Sequence, residues 1–276
     1  MKRPSSALLL RPTAQSAASI PPQLAKVHSA IVSCELCPRL RTYCRLVAQE
    51  KKAAHRGDTY WGRPVPGFGD PHARLLLIGL APAAHGANRT GRVFTGDGSG
   101  DFLMSALHRT GFANIATSRH PQDGLRLSDA YILSAVRCAP PDNKPRPEEI
   151  TRCLAHLDAE LAQLPEVRVV IALGQIGFNA WLQLLKRSGG VFSPKPRFGH
   201  GVVYSLGETP RLRSGHAAED GPRVPVLVGC YHPSRQNTNT GKLTAPMMEQ
   251  VFKKARRLLD APQKHLDSGP RRPGGC

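Results

Sequence analysis

An open three-layer α/β/α domain around a central four-stranded parallel sheet is predicted by three features of the sequence. Four short apolar runs are nearly continuous rather than alternating, as expected of strands covered by helices on both faces. Helix-like stretches separate them, giving a βαβα order with right-handed crossovers. The segments that leave the carboxyl ends of the runs are the richest in glycine and polar residues, and open α/β sheets carry their ligands there.

The first run, Leu75–Leu80 (LLLIGL), is followed by a glycine-rich loop and a helix-like stretch at Gly100–Thr110. The second, Tyr131–Val136 (YILSAV), leads through a proline-rich loop to Pro147–Leu164. The third, Val167–Leu173 (VRVVIAL), runs into Gln175–Arg187. The fourth, Val224–Gly229 (VPVLVG), precedes Ala245–Leu259, where Met248, Phe252 and Leu259 fall on one face and Lys253, Lys254, Arg256 and Arg257 on the other. The loops at the functional end are then 81–99, 138–147 and 230–244. Region 188–223 reads as an irregular excursion with a short hairpin and no assigned chemistry. Residues 1–21 and 260–276 are rich in Pro, Gly, Ser and charge, with too few apolar residues to offset ordering entropy, and are expected to be disordered. Residues 22–259 form the single expected domain.

The 276 residues carry 38 Lys+Arg against 20 Asp+Glu, a formal charge of +18. Residues 1–23 supply +3 and residues 253–276 supply +5, so +10 belongs to the body of the chain. Such a surplus favours a polyanionic partner, because Lys and Arg neutralise phosphates. The longest apolar stretch, Leu75 to Ala84, has ten residues, whereas a bilayer-spanning helix needs roughly 20. The basic start lacks the hydrophobic stretch of a secretory signal. A cytoplasmic monomer is expected, with its seven cysteines kept as thiols or metal ligands rather than disulfides.

Cys34 and Cys37 form a C-x2-C pair, and Cys138 and Cys153 follow with fourteen residues between them. Four thiolates complete either a tetrahedral zinc site or a [4Fe–4S] cluster, and spacing alone does not separate the two. Unliganded buried thiols are the third reading. Cys44, Cys230 and Cys276 are left over.

The loop after the first run, from Gly79 to Gly100, contains six glycines, whose lack of side chains lets backbone approach a ligand closely. It is neither a P-loop nor a dinucleotide fingerprint. Its polar residues are His85, Asn88, Arg89, Thr90, Arg92, Thr95 and Asp97, with Phe94 as its one aromatic. A base or sugar ring needs such a mixture: amides for its polar edge, an aromatic face for stacking, and a carboxylate near the reacting carbon. The last loop, CYHPSRQNTNTGKLT, places His232 just past the fourth run, at the same end of the sheet.

The segments GLAPAAHGANRTGRVFTGDGSG, SAVRCAPPDNKPRPEE, ALGQIGFNAW and YHPSRQNTNTGKLT together resemble the uracil-DNA glycosylase superfamily, most closely its family 5, the type B enzymes, over about residues 25–258. The resemblance implies a four-stranded parallel sheet between helices, a [4Fe–4S] cluster on Cys34, Cys37, Cys138 and Cys153, and removal of uracil, hypoxanthine and other deaminated bases from DNA. It implies that Phe94 stacks on the flipped base, that the backbone of Gly79, Leu80 and Ala81 floors its pocket, and that His232 faces the leaving base. Leu80 stands where related families carry a polar acid, which leaves Asp97 as the candidate to orient water or stabilise positive sugar charge. Ser134 stands where related families carry an asparagine, so the base edge is read less strictly. His85 joins these as a base-binding candidate.

On this reading Arg89, Arg92, Arg235 and Lys242 hold phosphates, and Ser234, Gln236, Asn237, Thr238 and Asn239 meet the duplex beside the lesion. No lysine lies in either motif core, Lys242 being in the outer loop, so a monofunctional enzyme that leaves an abasic site is expected. Two rival readings use the same residues: a metal-stabilised nucleic-acid-binding module without catalysis, and a redox-active iron–sulfur protein.

Overall fold

The computed structural model describes residues 20–206 and 224–261. The expectations for the two ends therefore fall almost wholly outside the described residues. Four five-residue strands, β2 (Leu75–Gly79), β3 (Ala130–Ser134), β4 (Val169–Leu173) and β6 (Val226–Cys230), have every side chain buried. They pair in parallel in the order β3-β2-β4-β6, in the register Leu75 to Ala130 and Val169, and Val169 to Val226. These are the four predicted strands, each shifted by no more than two residues.

The sheet is nevertheless six-stranded and mixed, which corrects the four-stranded parallel expectation. Two-residue strands, β1 (Phe68–Gly69) and β5 (Val203–Tyr204), pair antiparallel with β3 and β6 at the two edges. Two residues carry no periodicity, so nothing in the sequence marks them. Physically they occupy the backbone groups that the outer parallel strands would otherwise leave open. β5 is also what the 188–223 excursion contributes among the described residues.

The alternation of side chains splits the core in two. Leu75, Leu77, Ile132 and Val228 face α4 (Gly98–Arg109) and α8 (Ala245–Asp260). Leu76, Ile78, Leu133 and Leu227 face α5 (Pro147–Leu161) and α6 (Gln175–Arg187), with Leu24 of α1 (Pro22–Val32) added. Met248, Phe252 and Leu259 line the buried face of α8 as predicted. Its basic residues divide, however: the Arg256 guanidinium lies 3.6 Å over the Phe112 ring and Lys254 donates to the Gly201 carbonyl at 3.0 Å.

The arm formed by α1 and α2 (Pro38–Glu50) is held by charge as much as by apolar packing. Arg39 makes a bidentate pair with Glu149 of α5, both bonds at 2.8 Å. Deeper in, Glu160 of α5 is fully buried. Its Oε1 accepts from the Gly67 N–H at 2.8 Å and the Tyr131 hydroxyl at 3.2 Å, and lies 3.2 Å from His28 Nε2 of α1. Its Oε2 is 2.5 Å from Arg137 Nη2, in an approach that forms an ion pair without an aligned hydrogen bond. Burial alone would push the Glu160 carboxyl up; Arg137, His28 and the Gly67 amide overcome it and hold it below its usual value.

Breaking a buried ion pair from one side leaves the other charge unpaired. Glu160→Gln is therefore expected to lower the free energy of unfolding at pH 7 by about 3–5 kcal/mol, read from denaturant titration. Because the folded-state pKa is depressed, this contribution is present above the ordinary carboxylate pKa and is lost as pH falls through the folded value. The gap between the two proteins should narrow in the acid range.

Candidate active site

The parallel strands bring the loops of the first and last runs to one end of the sheet. In the register Gly79 stands beside Ser134 and Leu173 beside Cys230. Past the strand ends the ladder continues: Ala135 N–H donates to the Gly79 carbonyl and Val136 N–H to that of Leu80, both at 3.0 Å. Ser134 is buried beside Gly79, while Leu80 and Ala81 are half-buried as the chain leaves the sheet.

Phe94 lies directly on Gly79. A Cβ at Gly79 would sit 2.7 and 2.9 Å from the ring's Cε2 and Cζ, so the ring closes on the strand end only because that side chain is missing. Phe94 itself has φ +47°, in the left-handed region that an aromatic residue rarely adopts. Neighbours hold it there: a Cβ at Gly100 would run into the Phe94 carbonyl, and the adjacent Thr95 is buried against Ser118 at 2.7 Å. His232 meets the same ring from the last loop, with ring centroids 5.8 Å apart and planes tilted by 32°. Gly174, just after β4, makes room for it, since a Cβ there would lie 3.2 Å from that of His232. Burial pulls the His232 imidazole down to a pKa of about 4.

Asp97 is the N-cap of α4, its carboxylate accepting from Gly100 N–H at 2.9 Å. Burial raises its pKa; the Gly100 and Ser99 amides and the Arg235 guanidinium oppose that rise without cancelling it. Gly86 presses against its Oδ2, leaving no space for a side chain there. Arg235 opens α7 (Arg235–Asn239), a short helix capped by Ser234 and tied back to His232 through Asn237, whose Nδ2 donates to the His232 carbonyl at 2.8 Å. Arg235, Gln236, Asn239 and Lys242 are exposed, and Ser234, Asn237 and Thr238 are half-buried. Lys242 also stands 5.1 Å from the centre of the Tyr231 ring.

Other predicted residues are placed differently. Arg89 donates to the carbonyls of His85 and Gly96, both at 2.9 Å, and pairs with Asp58 at 2.7 Å. Arg92 is 7% exposed and bound to Thr95, Ser118, the Pro121 carbonyl and Asp123. Both guanidiniums brace the loop from within. His85 is tied to the Tyr60 hydroxyl at 3.1 Å, its pKa lowered by burial and by Lys52, His55 and Arg89.

Several supporting residues have no conspicuous sequence signal. Gly86 and Gly174 could have been suspected as glycines at strand or helix ends; Tyr60 and His200 could not. His200, in the excursion that was assigned no chemistry, accepts from Tyr231 N–H at 3.2 Å and stacks on that ring, steadying the residue before His232.

The expected [4Fe–4S] cluster is corrected by the structure. Cys37, Cys138 and Cys153 are buried in a small apolar cluster with Leu40, Val136 and Ala139, while Cys34 is half-exposed. Cys44, outside the predicted set, is buried in the same cluster, and its thiol donates to the Ala139 carbonyl at 3.6 Å. Among the described residues no three His, Cys, Asp or Glu side chains are grouped so as to hold a metal ion. Burial pushes the Cys153 thiol up to about 11 and that of Cys37 upward. Cys37, Cys44, Cys138 and Cys153 pack together where α2 meets α5 and the segment after β3.

The family profile described as the uracil DNA glycosylase superfamily matches residues 66–256, which span β2 to α8 and every loop of the site. The chain belongs to the uracil-DNA glycosylase superfamily. Within it the similarity is to type-5 enzymes. The type-5 uracil-DNA glycosylase of Thermus thermophilus is 49% identical over 228 residues, 83% of this chain and 94% of that one. That of Mycobacterium bovis is 47% identical over 236 residues, 85% of this chain and 81% of that one. A more distant one, from Pyrobaculum aerophilum, is 38% identical over 242 residues, covering 84% of this chain and 96% of that relative. The α1–α2 arm lies outside the stretch that the superfamily profile matches.

The contact between Gly79 and Phe94 can be tested by packing. Gly79→Ala is expected to destabilise the fold by about 1–3 kcal/mol, the range for overpacking, in denaturant unfolding. In a Phe94→Ala background the same substitution should cost much less, so the double-mutant cycle isolates the contact.

Proposed function

We propose that the protein hydrolyses the bond between a deaminated base and its sugar in DNA, acting on uracil and also on hypoxanthine, and leaves an abasic site. One observation carries the reading: Phe94 and His232, from opposite ends of the chain's sheet motif, face each other over a glycine floor, with Asp97 at the adjoining helix start. The names of the type-5 relatives agree with it.

The extruded nucleotide stacks its base on Phe94, at an unpairing cost of a few kcal/mol that is least for mismatched bases. As the glycosidic bond breaks, its electron pair leaves with the base and the sugar becomes oxocarbenium-like. His232, with a pKa of about 4, is neutral at physiological pH, so it stabilises the departing anion as a hydrogen-bond donor rather than as a cation. The ionised Asp97 stabilises the sugar cation and orients the water whose hydroxyl joins the sugar carbon. Ser134 offers the base edge one short hydroxyl, which fits an enzyme that accepts more than uracil. Arg235 and Lys242 hold the strand's phosphates while Ser234, Gln236, Asn237 and Thr238 of the α7 turn meet the groove. The protein acts as a monomer on these duplexes.

The test is to incubate the protein with duplexes carrying uracil or hypoxanthine, then cleave abasic sites with alkali. Strand breaks are expected, and Asp97→Asn should reduce them by about 10²–10³-fold, as loss of a charge-stabilising group does. Intact strands with every damaged base would refute the activity. His232→Ser is also expected to slow base release. Since Asp97 must be ionised and its pKa is raised, the rate should fall with falling pH above the ordinary carboxylate range. That acid limb should vanish in Asp97→Asn.

The same raised pKa makes the Asp97 charge a liability for folding. The folded protein binds a proton more readily than the unfolded chain, so ionisation lowers stability as pH rises through that interval. Asn keeps the N-cap acceptor. Asp97→Asn should therefore melt at a higher temperature than the wild type at pH 7, with the difference shrinking below the unfolded carboxylate pKa.

A further inference from the structure

A groove of about 560 Å³ lies where the α1–α2 arm meets the first loop, lined by Trp61, Arg63, Arg41, Arg45 and Glu35 among others. None of these belongs to the site described above. Glu35 pairs with Arg41 at 3.3 Å and Arg45 at 2.5 Å, and with Arg63 the lining holds three guanidiniums to one carboxylate, so the groove is positive. Trp61 is 37% exposed, one of the few large apolar side chains at the surface among the described residues.

The manner of its exposure is informative. The indole N–H donates to the Pro64 carbonyl at 3.1 Å, so the polar edge is satisfied internally and what remains open is ring face. Gly91 supports the ring, with a Cβ there falling 3.0–3.2 Å from its Cδ2, Cγ and Cε3. Arg63 stands over the ring at 5.9 Å, whereas Arg256 closes on Phe112 to 3.6 Å, so Arg63 does not seal the indole. An aromatic face ringed by guanidiniums suits a base with its phosphates better than an acidic peptide, which has charge but no need of a stacking surface. The segment that lines the groove is also tied to the loop of the candidate active site: Trp61 N–H donates to the Arg89 carbonyl at 2.9 Å and Gly62 N–H to that of Asn88 at 3.0 Å, in the loop that carries Phe94 and Asp97.

We propose that this groove is a second nucleotide site, which holds an unpaired nucleotide of the DNA strand flanking the lesion, its base on Trp61 and its phosphates on Arg63 and Arg45. The choice of DNA as the polymer rests on the glycosylase reading; the stacking geometry does not.

The protein has two tryptophans, and Trp181 is fully buried, so fluorescence change on adding a nucleic acid reports on Trp61. Titration with single-stranded oligothymidylate of about eight nucleotides, within the usual site size, should quench emission saturably. Trp61→Ala and Arg63→Glu should each weaken binding of a labelled oligothymidylate by about tenfold. Because Trp61→Ala removes the support of Gly91, melting curves accompany both variants, and Arg63→Glu, at an exposed position, keeps the test decisive. Absence of quenching, an unchanged affinity in Arg63→Glu, or quenching by a phosphoserine peptide but not by the oligonucleotide would each overturn the proposal. Base release from uracil duplexes without quenching refutes the groove alone. Quenching without base release refutes the glycosylase reading and supports the groove.

Discussion

A single buried carboxylate ties together the parts on which the site rests. Glu160 lies on α5, and its partners are His28 on the arm, Gly67 before the first edge strand, Tyr131 within β3, and Arg137 just beyond that strand's end. Burying an unpaired charge is prohibitive, so these five groups are compelled to assemble together or not at all. Arg137 fixes the course of the chain between Ser134 and Cys138, and its carbonyl accepts from Val65 N–H at 2.8 Å. The floor beneath the candidate site thus depends on a charge far from any reacting atom.

At the working end the governing constraint is the absence of side chains. Gly79, Gly86, Gly100 and Gly174 each occupy a place where a Cβ would strike Phe94, Asp97 or His232 or crowd it. They let an aromatic ring, a carboxylate and an imidazole converge while their own backbones remain in strand, turn or helix. The apolar surroundings that follow then set the chemistry: the carboxyl is pushed up, the imidazole down. Opposed shifts of this kind give two neighbouring groups different roles at one pH.

The four central strands and α6 were legible because buried parallel strands and amphipathic helices write themselves as runs and periods, and Phe94, Asp97 and His232 because strand order sends their loops to one end. β1 and β5 were not, since two residues have no period. Arginine is equally opaque: in sequence Arg92, locked to Asp123 thirty-one positions away, looks the same as Arg235 at the surface. Several of the 38 basic residues are engaged in this way, by Asp58, Asp123, Asp129, Glu149 and Glu160 among others, so position along the chain does not tell which cations are free to meet a partner. The cysteines mislead for a related reason. Spacing states intervals along the chain, and Cys44, which the spacing left over, is buried with Cys37, Cys138 and Cys153, whereas Cys34 of the predicted four is half-exposed.

Phe94 holds φ +47°, a conformation that costs about 1–3 kcal/mol outside glycine. The groups that hold it there, Gly79 against the ring and Gly100 against the carbonyl, belong to a strand and a helix of the fold itself. For the base-stacking role proposed for Phe94, a platform fixed by the fold would put discrimination between bases on the ease with which each leaves its helix rather than on closure of the pocket.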